Sequence, residues 1–339
     1  MTAALTAPPI LAIEGLTTIF PGARGPTVIV DDISLAVHRG ETLAVVGESG
    51  SGKTMTFHSA LGLVPHPGRV EKGRVLLDGI DLMTLTPDEL RRRRGAEIAI
   101  VFQDPLTALN PVFTIGDQIA EVLRAHLPIT RSAARKRAIE ILARVHIPDP
   151  HRRVDDYPHQ FSGGMRQRAL IAMAIALGPK VLIADEPTTA LDVTVQAQVL
   201  ELLGDLKRET GMGLILITHD LGVVARHADR VAVLYAGRVM EQGLADRVFE
   251  APRHPYTVSL FRSIPHLDTV AGKDLMPIEG MPPNPALLPK GCAFEPRCFV
   301  GSGKDECATR RPALEVTEDT GHLTRCWRWR DITSALGAA

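Results

Sequence analysis

Aromatic side chains make up only 4% of this 339-residue chain. So few rings argue against a stacking platform for single-stranded nucleic acid. Neither sign of charge is in excess: 38 Lys and Arg against 39 Asp and Glu leave a formal net charge of −1. There is then no global basic field to hold nucleic acid or anionic lipid. The one dense basic run, Arg91–Arg94, reads as the solvated face of a helix. Long apolar runs are missing too. The longest, around Ala169–Leu177, falls far short of the ~20 residues needed to span a bilayer. Met1–Pro9 shows no cationic stretch followed by an apolar one, so no secretory signal is expected. These absences predict a soluble, cytosolic chain unless a partner holds it at a membrane. Cysteine is scarce and oddly placed: Cys292, Cys298, Cys307 and Cys326 all fall in the last fifth. A reducing cytosol disfavours disulfides, so this clustering needs another explanation.

What is present is ordinary globular composition, 45% apolar and 23% charged, with length for a large core and more than one domain. The most specific stretch is Gly47-Glu48-Ser49-Gly50-Ser51-Gly52-Lys53-Thr54, which fits the phosphate-loop pattern G-x-x-x-x-G-K-[ST]. The run Thr42–Val46 before it reads as a buried strand, and the residues after it can continue as a helix. Glycines let the backbone wrap a polyphosphate with its N–H groups facing inward. The positive end of the following helix adds to that field. Lys53 is expected to reach the β- and γ-phosphates, and the Thr54 hydroxyl to ligate Mg²⁺.

Five apolar runs look like strands: Leu43–Val46, Ile98–Phe102, Val181–Ala184, Leu214–Thr218 and Val231–Tyr235. Runs this apolar on both faces suit a buried, mostly parallel sheet flanked by helices. Four of them end beside a loop or residue capable of chemistry: the phosphate loop, Gln103, Asp185 with Glu186, and His219. That edge is where open α/β sheets bind ligands. Ile115–Leu127 and Ala133–Val145 read as amphipathic helices in an inserted helical region. Beyond about Pro265, proline and glycine become dense through Pro277–Gly291, and the cysteines follow. This predicts a domain over residues 10–265, with a helical subdomain near 104–162, and a small extension over 266–339 with little apolar core of its own.

In this order the motifs closely resemble the ATP-binding subunits of ABC transporters. Phe102-Gln103-Asp104-Pro105 follows the phosphate loop. Phe161-Ser162-Gly163-Gly164-Met165 is similar to the family's signature sequence, with Phe and Met where the wider family has Gln and Leu. Val181–Glu186 resembles the Walker B strand, Ala190-Leu191-Asp192 the D-loop, and His219 the switch histidine. The stretches Phe102–Pro111, Arg253–Thr257 and Pro289–Cys298 look like the dipeptide/oligopeptide importer branch. The likeness is greatest to the first of its paired ATPases. The fold so implied is α/β: an ABC-type P-loop ATPase domain with a mostly parallel sheet core, an N-terminal antiparallel β part and a helical subdomain. The cysteine-containing extension completes it.

The resemblance also assigns roles. Asp185 ends an apolar strand, and a carboxylate there needs a metal or donors to satisfy it. Holding Mg²⁺ is the family role; capping the segment after Pro187 is the alternative. Glu186 would orient and deprotonate the attacking water. Gln103 and His219 would sense the γ-phosphate, with Gln103 also at the magnesium. Phe20, 27 positions before Gly47, would stack on adenine. Ser162, Gly163 and Gly164 would complete the ATP site of an opposite subunit from a helix N-terminus, and Asp192 would link the two sites.

Five residues separate Cys292 from Cys298, eight separate Cys298 from Cys307, and eighteen separate Cys307 from Cys326. Four thiolates suit zinc or an iron–sulfur cluster, though structural zinc usually shows tighter pairs. The branch resemblance implies a structural [4Fe–4S] cluster; zinc and unligated cysteines stay open. Implied partners are a paralogous ATPase forming a heterodimer, two membrane permease subunits and an extracytoplasmic substrate-binding protein. No nucleic acid is implied. The implied place is the cytoplasmic face of the inner membrane, held peripherally, and the implied work is import of di- or oligopeptides. Nickel, opines or glycosides are alternative cargoes. A soluble ABC ATPase acting on ribosomes or DNA is a remote alternative, because the chain has one phosphate loop and no heptad run.

Overall fold

The computed structural model describes residues 7–23, 25–189, 191–263, 278–318 and 321–332. Its strands are β1 (Leu11–Phe20), β2 (Thr27–Val37), β3 (Thr42–Val46), β4 (Arg69–Leu77), β5 (Ile80–Asp81), β6 (Ile98–Val101), β7 (Val181–Asp185), β8 (Gly213–Ile217), β9 (Arg230–Tyr235), β10 (Arg238–Leu244), β11 (Glu315–Val316) and β12 (Leu323–Thr324). Its α-helices are α1 (Lys53–Ala60), α2 (Pro87–Arg93), α3 (Pro105–Ala108), α4 (Ile115–His126), α5 (Arg131–Arg144), α6 (Pro150–Arg153), α7 (Gly163–Ile175), α8 (Val193–Thr210), α9 (Leu221–His227), α10 (Ala245–Glu250), α11 (Pro255–Arg262) and α12 (Asp305–Thr309). The five runs expected as strands become β3, β6, β7, β8 and β9, and the two expected amphipathic helices become α4 and α5.

The chain divides into two compact units. One comprises Met1–Leu11, Ala36–Thr42 and Leu76–Ile217. In it, β6, β7 and β8 run parallel, with Ile98 paired to Val181 and Val181 to Gly213. All five residues of β7 and all five of β8 are buried, which explains why these strands read as continuous apolar runs. Parallel pairing puts the ends of β6 and β7 on one edge, so Gln103 and Asp185 share it. The helical insertion starts from Thr114, whose hydroxyl caps α4, and Thr130, which caps α5 in the same way. Ile115, Ile119 and Leu123 recur at helical spacing on the buried face of α4. Gly116 packs so closely on Val154 that a Cβ there would lie 2.3 Å from Val154 Cγ2. Of the basic run, Arg91 and Arg92 are exposed and Arg93 and Arg94 half-buried, and Arg91 pairs with Asp88 at 2.9 Å.

The other unit comprises Ala12–Leu35, Leu43–Val75 and Thr218–Ala339. In it, β3 pairs in parallel with β9, Leu43 opposite Arg230. Strand β9 turns back into β10 through Ala236 and Gly237, both at positive φ, and the pairing is antiparallel. Strand β12 of the extension adds to β10 with Glu241 opposite Thr324. The extension also draws its core from this unit. Cys292, Ala293, Phe294 and Cys298 belong to one buried cluster with Val231, Val233, Tyr235 and Tyr256. Phe294 is fully buried and meets Tyr235 edge-on, their centroids 5.3 Å apart.

Candidate functional site

In the second unit, β3 delivers the chain into the phosphate loop. Gly47, Gly50 and Gly52 hold φ of 151°, 76° and 98°, where a side chain is strained. The loop is also pressed onto backbone. A Cβ on Gly47 would lie 2.1 Å from the Leu234 carbonyl oxygen, and one on Gly52 would lie 3.1 Å from Ile29 O. Lys53 lies buried at the start of α1, and its Nζ donates to the carbonyls of Gly47 at 2.8 Å and Glu48 at 3.0 Å. The N-cap of α1, Gly52, offers no side-chain acceptor to the first turn. A helix start of this kind carries a positive field that suits an anion. Ser51 Oγ is buried with no protein hydrogen-bond partner. A buried hydroxyl of this kind is satisfied by an added acceptor such as a phosphate oxygen. Thr54 is half-buried on the same first turn, while Ser49 is exposed. These features fit a magnesium-bound polyphosphate.

One flanking element of this unit bears on the loop. Thr218 N–H donates to the Val45 carbonyl at 3.2 Å, tying the stretch that carries His219 to the end of β3. His219 itself is exposed, and the next residue, Asp220, caps α9 through Gly222 and Val223 N–H. Phe20 ends β1 half-buried, its ring packed on Gly68 so tightly that a Cβ there would lie 2.4 Å from Cζ.

Sequence reasoning missed two residues that hold the loop. Tyr256 Oη accepts the Glu48 N–H at 2.8 Å. Arg297 donates twice to the Glu48 carboxylate, at 2.7 and 3.1 Å. In the sequence Arg253–Thr257 and Pro289–Cys298 carry a branch likeness only, and nothing local in the chain connects Arg297 to residue 48.

In the first unit, Asp185 closes β7 and is 2% exposed. Glu186 follows at φ 45°, a left-handed conformation that costs a non-glycine residue about 1–3 kcal/mol. Such strain persists where surroundings over-determine it, and here they do. Glu186 N–H donates to Ile217 O at 2.9 Å, while its Oε2 accepts from Gln103 Nε2 at 2.9 Å and Thr189 Oγ1 at 3.0 Å. The structure thus brings Gln103, Asp185 and Glu186 together, as expected, and adds Thr189.

Ser162 caps α7, its Oγ accepting from Met165 N–H at 3.3 Å. Ser162 and Gly163 are exposed, so the tip of α7 is open to solvent. Gly164 is small for a different reason: a Cβ there would lie 2.5 Å from Val195 Cγ1. Val195 N–H is in turn held by Asp192 Oδ1 at 2.9 Å. The signature helix and the Asp192 cap are therefore in mechanical contact. Ala190, part of the expected D-loop, lies outside the described residues.

The four cysteine thiols line one cavity together with His254, Glu295 and Trp327. Burial pushes Cys292 up to about 11 and raises Cys298, Cys307 and Cys326 as well. The thiols are thus protonated unless a cationic centre compensates for their charge. Among the described residues, no three His, Cys, Asp or Glu side chains are grouped to hold a single metal ion.

Comparison with known proteins gives two family matches. Residues 30–189 match the ABC transporter family, and residues 240–307 match the oligopeptide/dipeptide transporter C-terminal region. A putative peptide import ATP-binding protein of Brucella abortus (strain 2308) is 49% identical, over 96% of this chain and 99% of its own. The dipeptide transport ATP-binding protein DppD of Bacillus subtilis (strain 168) is 48% identical, over 94% of each chain. Among solved structures, the dimeric structure of MJ0796, a bacterial ABC transporter cassette, is similar with a TM-score of 0.62 and 29% identity, covering 69% of this chain and 98% of that one.

Proposed function

The chain belongs to the ABC transporter ATPases, and on that premise we propose that it hydrolyses ATP to drive an importer of di- or oligopeptides. The observation that carries this reading is the phosphate loop, with Lys53 and the unpartnered Ser51, in the same unit as the matched oligopeptide/dipeptide region. We assign the catalytic domain to residues 10–265 and the importer-type extension to 266–339.

In this reading Lys53 and the loop N–H groups hold the β- and γ-phosphates, and Phe20 offers its ring to adenine. Thr54, Gln103 and Asp185 are the residues that would hold Mg²⁺, and the ion would supply charge neutralisation at the phosphates. Glu186 takes the proton of the attacking water, and its bond from Gln103 fixes the carboxylate. His219 touches the γ-phosphate. Ser162, Gly163 and Gly164 complete the ATP site of a second, paralogous ATPase, and Asp192 couples the two sites.

Partners follow from surfaces. No described helix is long and apolar enough to cross a membrane, so permease subunits would form the pore. The helical subdomain carries a cavity of about 760 Å³ lined by residues that include Phe113, Asp117, Arg124 and Arg135. In the same subdomain Leu106, Val112 and Phe113 are 65%, 70% and 51% exposed. Apolar residues so exposed suit a partner interface, here the permease pair at the cytoplasmic face of the membrane. An extracytoplasmic binding protein would deliver the peptide. We further propose that Cys292, Cys298, Cys307 and Cys326, which line one cavity, would hold a [4Fe–4S] cluster that would cross-link a segment short of apolar core. Iron analysis after oxygen-free purification tests that assignment, and colourless, iron-free protein rejects it.

Uptake tests the whole reading. A strain lacking this chain should lose import of a di- or oligopeptide, regain it with the wild-type chain, and not regain it with Glu186→Gln. Undiminished peptide uptake, with loss of nickel, opine or glycoside uptake instead, would transfer the role to that cargo.

A further inference from the structure

The C-terminal extension reaches directly into the phosphate loop. The Arg297 side chain is only 5% exposed, and its two terminal nitrogens grip both oxygens of Glu48, at 2.7 and 3.1 Å. Its remaining hydrogen bonds fix the approach of the fork. Nε donates to Glu279 O at 2.9 Å, Nη2 also donates to Ile278 O at 3.1 Å, and Nη1 donates to Tyr235 Oη at 3.3 Å. From the other side, Tyr256 Oη holds the Glu48 N–H. The second residue of the loop is thus clamped at backbone and side chain by partners 208 and 249 positions away. The Arg297 guanidinium also lies over the rings of Tyr235 and Phe294, 5.9 and 6.0 Å from their centroids, and the next residue, Cys298, lines the thiol cavity.

Charge gives this clamp a purpose. Glu48 places a carboxylate within a loop shaped for a polyphosphate, and two anions at that range repel each other. The bidentate guanidinium offsets that charge and fixes the carboxylate in place. Desolvation works against the Arg297 charge, but its bonds to Glu48 and Tyr235 prevail and hold it firmly protonated.

We propose that Arg297 is a positioning residue for nucleotide: by neutralising and holding Glu48, it makes the affinity of the phosphate loop depend on the folded C-terminal extension. This rests on the reading of Gly47–Thr54 as the nucleotide cradle. The extension is then a built-in control on ATP capture, and whatever unfolds its cysteine region also loosens the loop.

The experiment is Mg-ATP binding and steady-state hydrolysis with full-length variants. Arg297→Met should raise Kd and KM for ATP about tenfold, with kcat held within about twofold. Adding Glu48→Gln to it should recover most of that loss, because the uncompensated carboxylate is then gone. Arg297→Lys, which keeps the charge but not the fork, should fall between; it also serves where Arg297→Met does not fold. A merely structural role predicts the opposite, a double variant no tighter than Arg297→Met, and that result overturns the proposal. So does wild-type affinity in Arg297→Met. Lys53→Ala separates the two levels. If it weakens binding while the Arg297 variants do not, only this proposal fails; if it too binds normally, the cradle reading fails.

Discussion

Replacing Glu186 by Gln isolates the chemical step from everything that surrounds it. The Glu186 carboxylate accepts from Gln103 Nε2 and Thr189 Oγ1, and its backbone is fixed by Ile217. A glutamine has the same shape, and its amide oxygen can accept the same two bonds. The φ of 45° is a property of the backbone position and is shared by both residues. The substitution therefore leaves fold, melting temperature and Mg-ATP affinity as they are. What it removes is proton affinity, since an amide does not take a proton from water. A positioned general base contributes about 10²–10⁴-fold, or roughly 3–5 kcal/mol of barrier. Phosphate release at saturating Mg-ATP, measured on the full chain, should fall by at least about a hundredfold. ATP should then persist in the complex with the partner ATPase, which chromatography would detect as a longer-lived dimer. Turnover near the wild-type rate, in a variant that melts and binds like wild type, would refute the assignment of the base.

Two other perturbations test the loop and the extension separately. Gly47→Ala puts a Cβ 2.1 Å from Leu234 O and 2.8 Å from Ser51 Oγ, so the loop must move. At about 1–3 kcal/mol of strain, ATP affinity should drop about tenfold or more, and calorimetric titration showing no change would contradict the packed geometry. His254 is fully buried, and burial holds its pKa down to about 3 against the usual 6.5. Between those values the unfolded chain binds the proton and the folded chain does not, so stability rises with pH at up to about 1.4 kcal/mol per unit. Its Nδ1 accepts from Tyr256 N–H as the cap of α11, a role that His254→Asn keeps. From pH 6.5 to 5, the wild type should therefore lose about 1.6 kcal/mol more than His254→Asn in denaturant titrations, and equal losses would show that His254 titrates normally.

What the sequence made legible is local. Strands β3, β7, β8 and β9 are buried on both faces, so their apolar runs identify them within a residue or two. The phosphate loop is a contiguous pattern whose glycines are forced by φ and by the Leu234 carbonyl. Gln103, Asp185 and Glu186 are legible on one edge because parallel strands put their ends together, and Gln103 is hydrogen-bonded to Glu186 there. The rest was hidden by distance along the chain. Arg297 sits in a stretch whose sequence shows only a branch likeness, yet it contacts Glu48 across 249 positions. Phe294 gave no sign that the extension borrows the core around Tyr235 and Tyr256. The strained backbone at Glu186 has no sequence signal either, because glutamate rarely adopts positive φ without tertiary support.

The central claim is that Gly47–Thr54 holds the phosphates of Mg-ATP. Equilibrium titration of Mg-ATP into the full chain and into Lys53→Ala tests it most directly. Binding to the wild type should be saturable, and affinity at least about tenfold weaker once the ammonium is gone, with no loss of fold. Equal affinity in the two proteins, or no binding of Mg-ATP to the wild type, would contradict it.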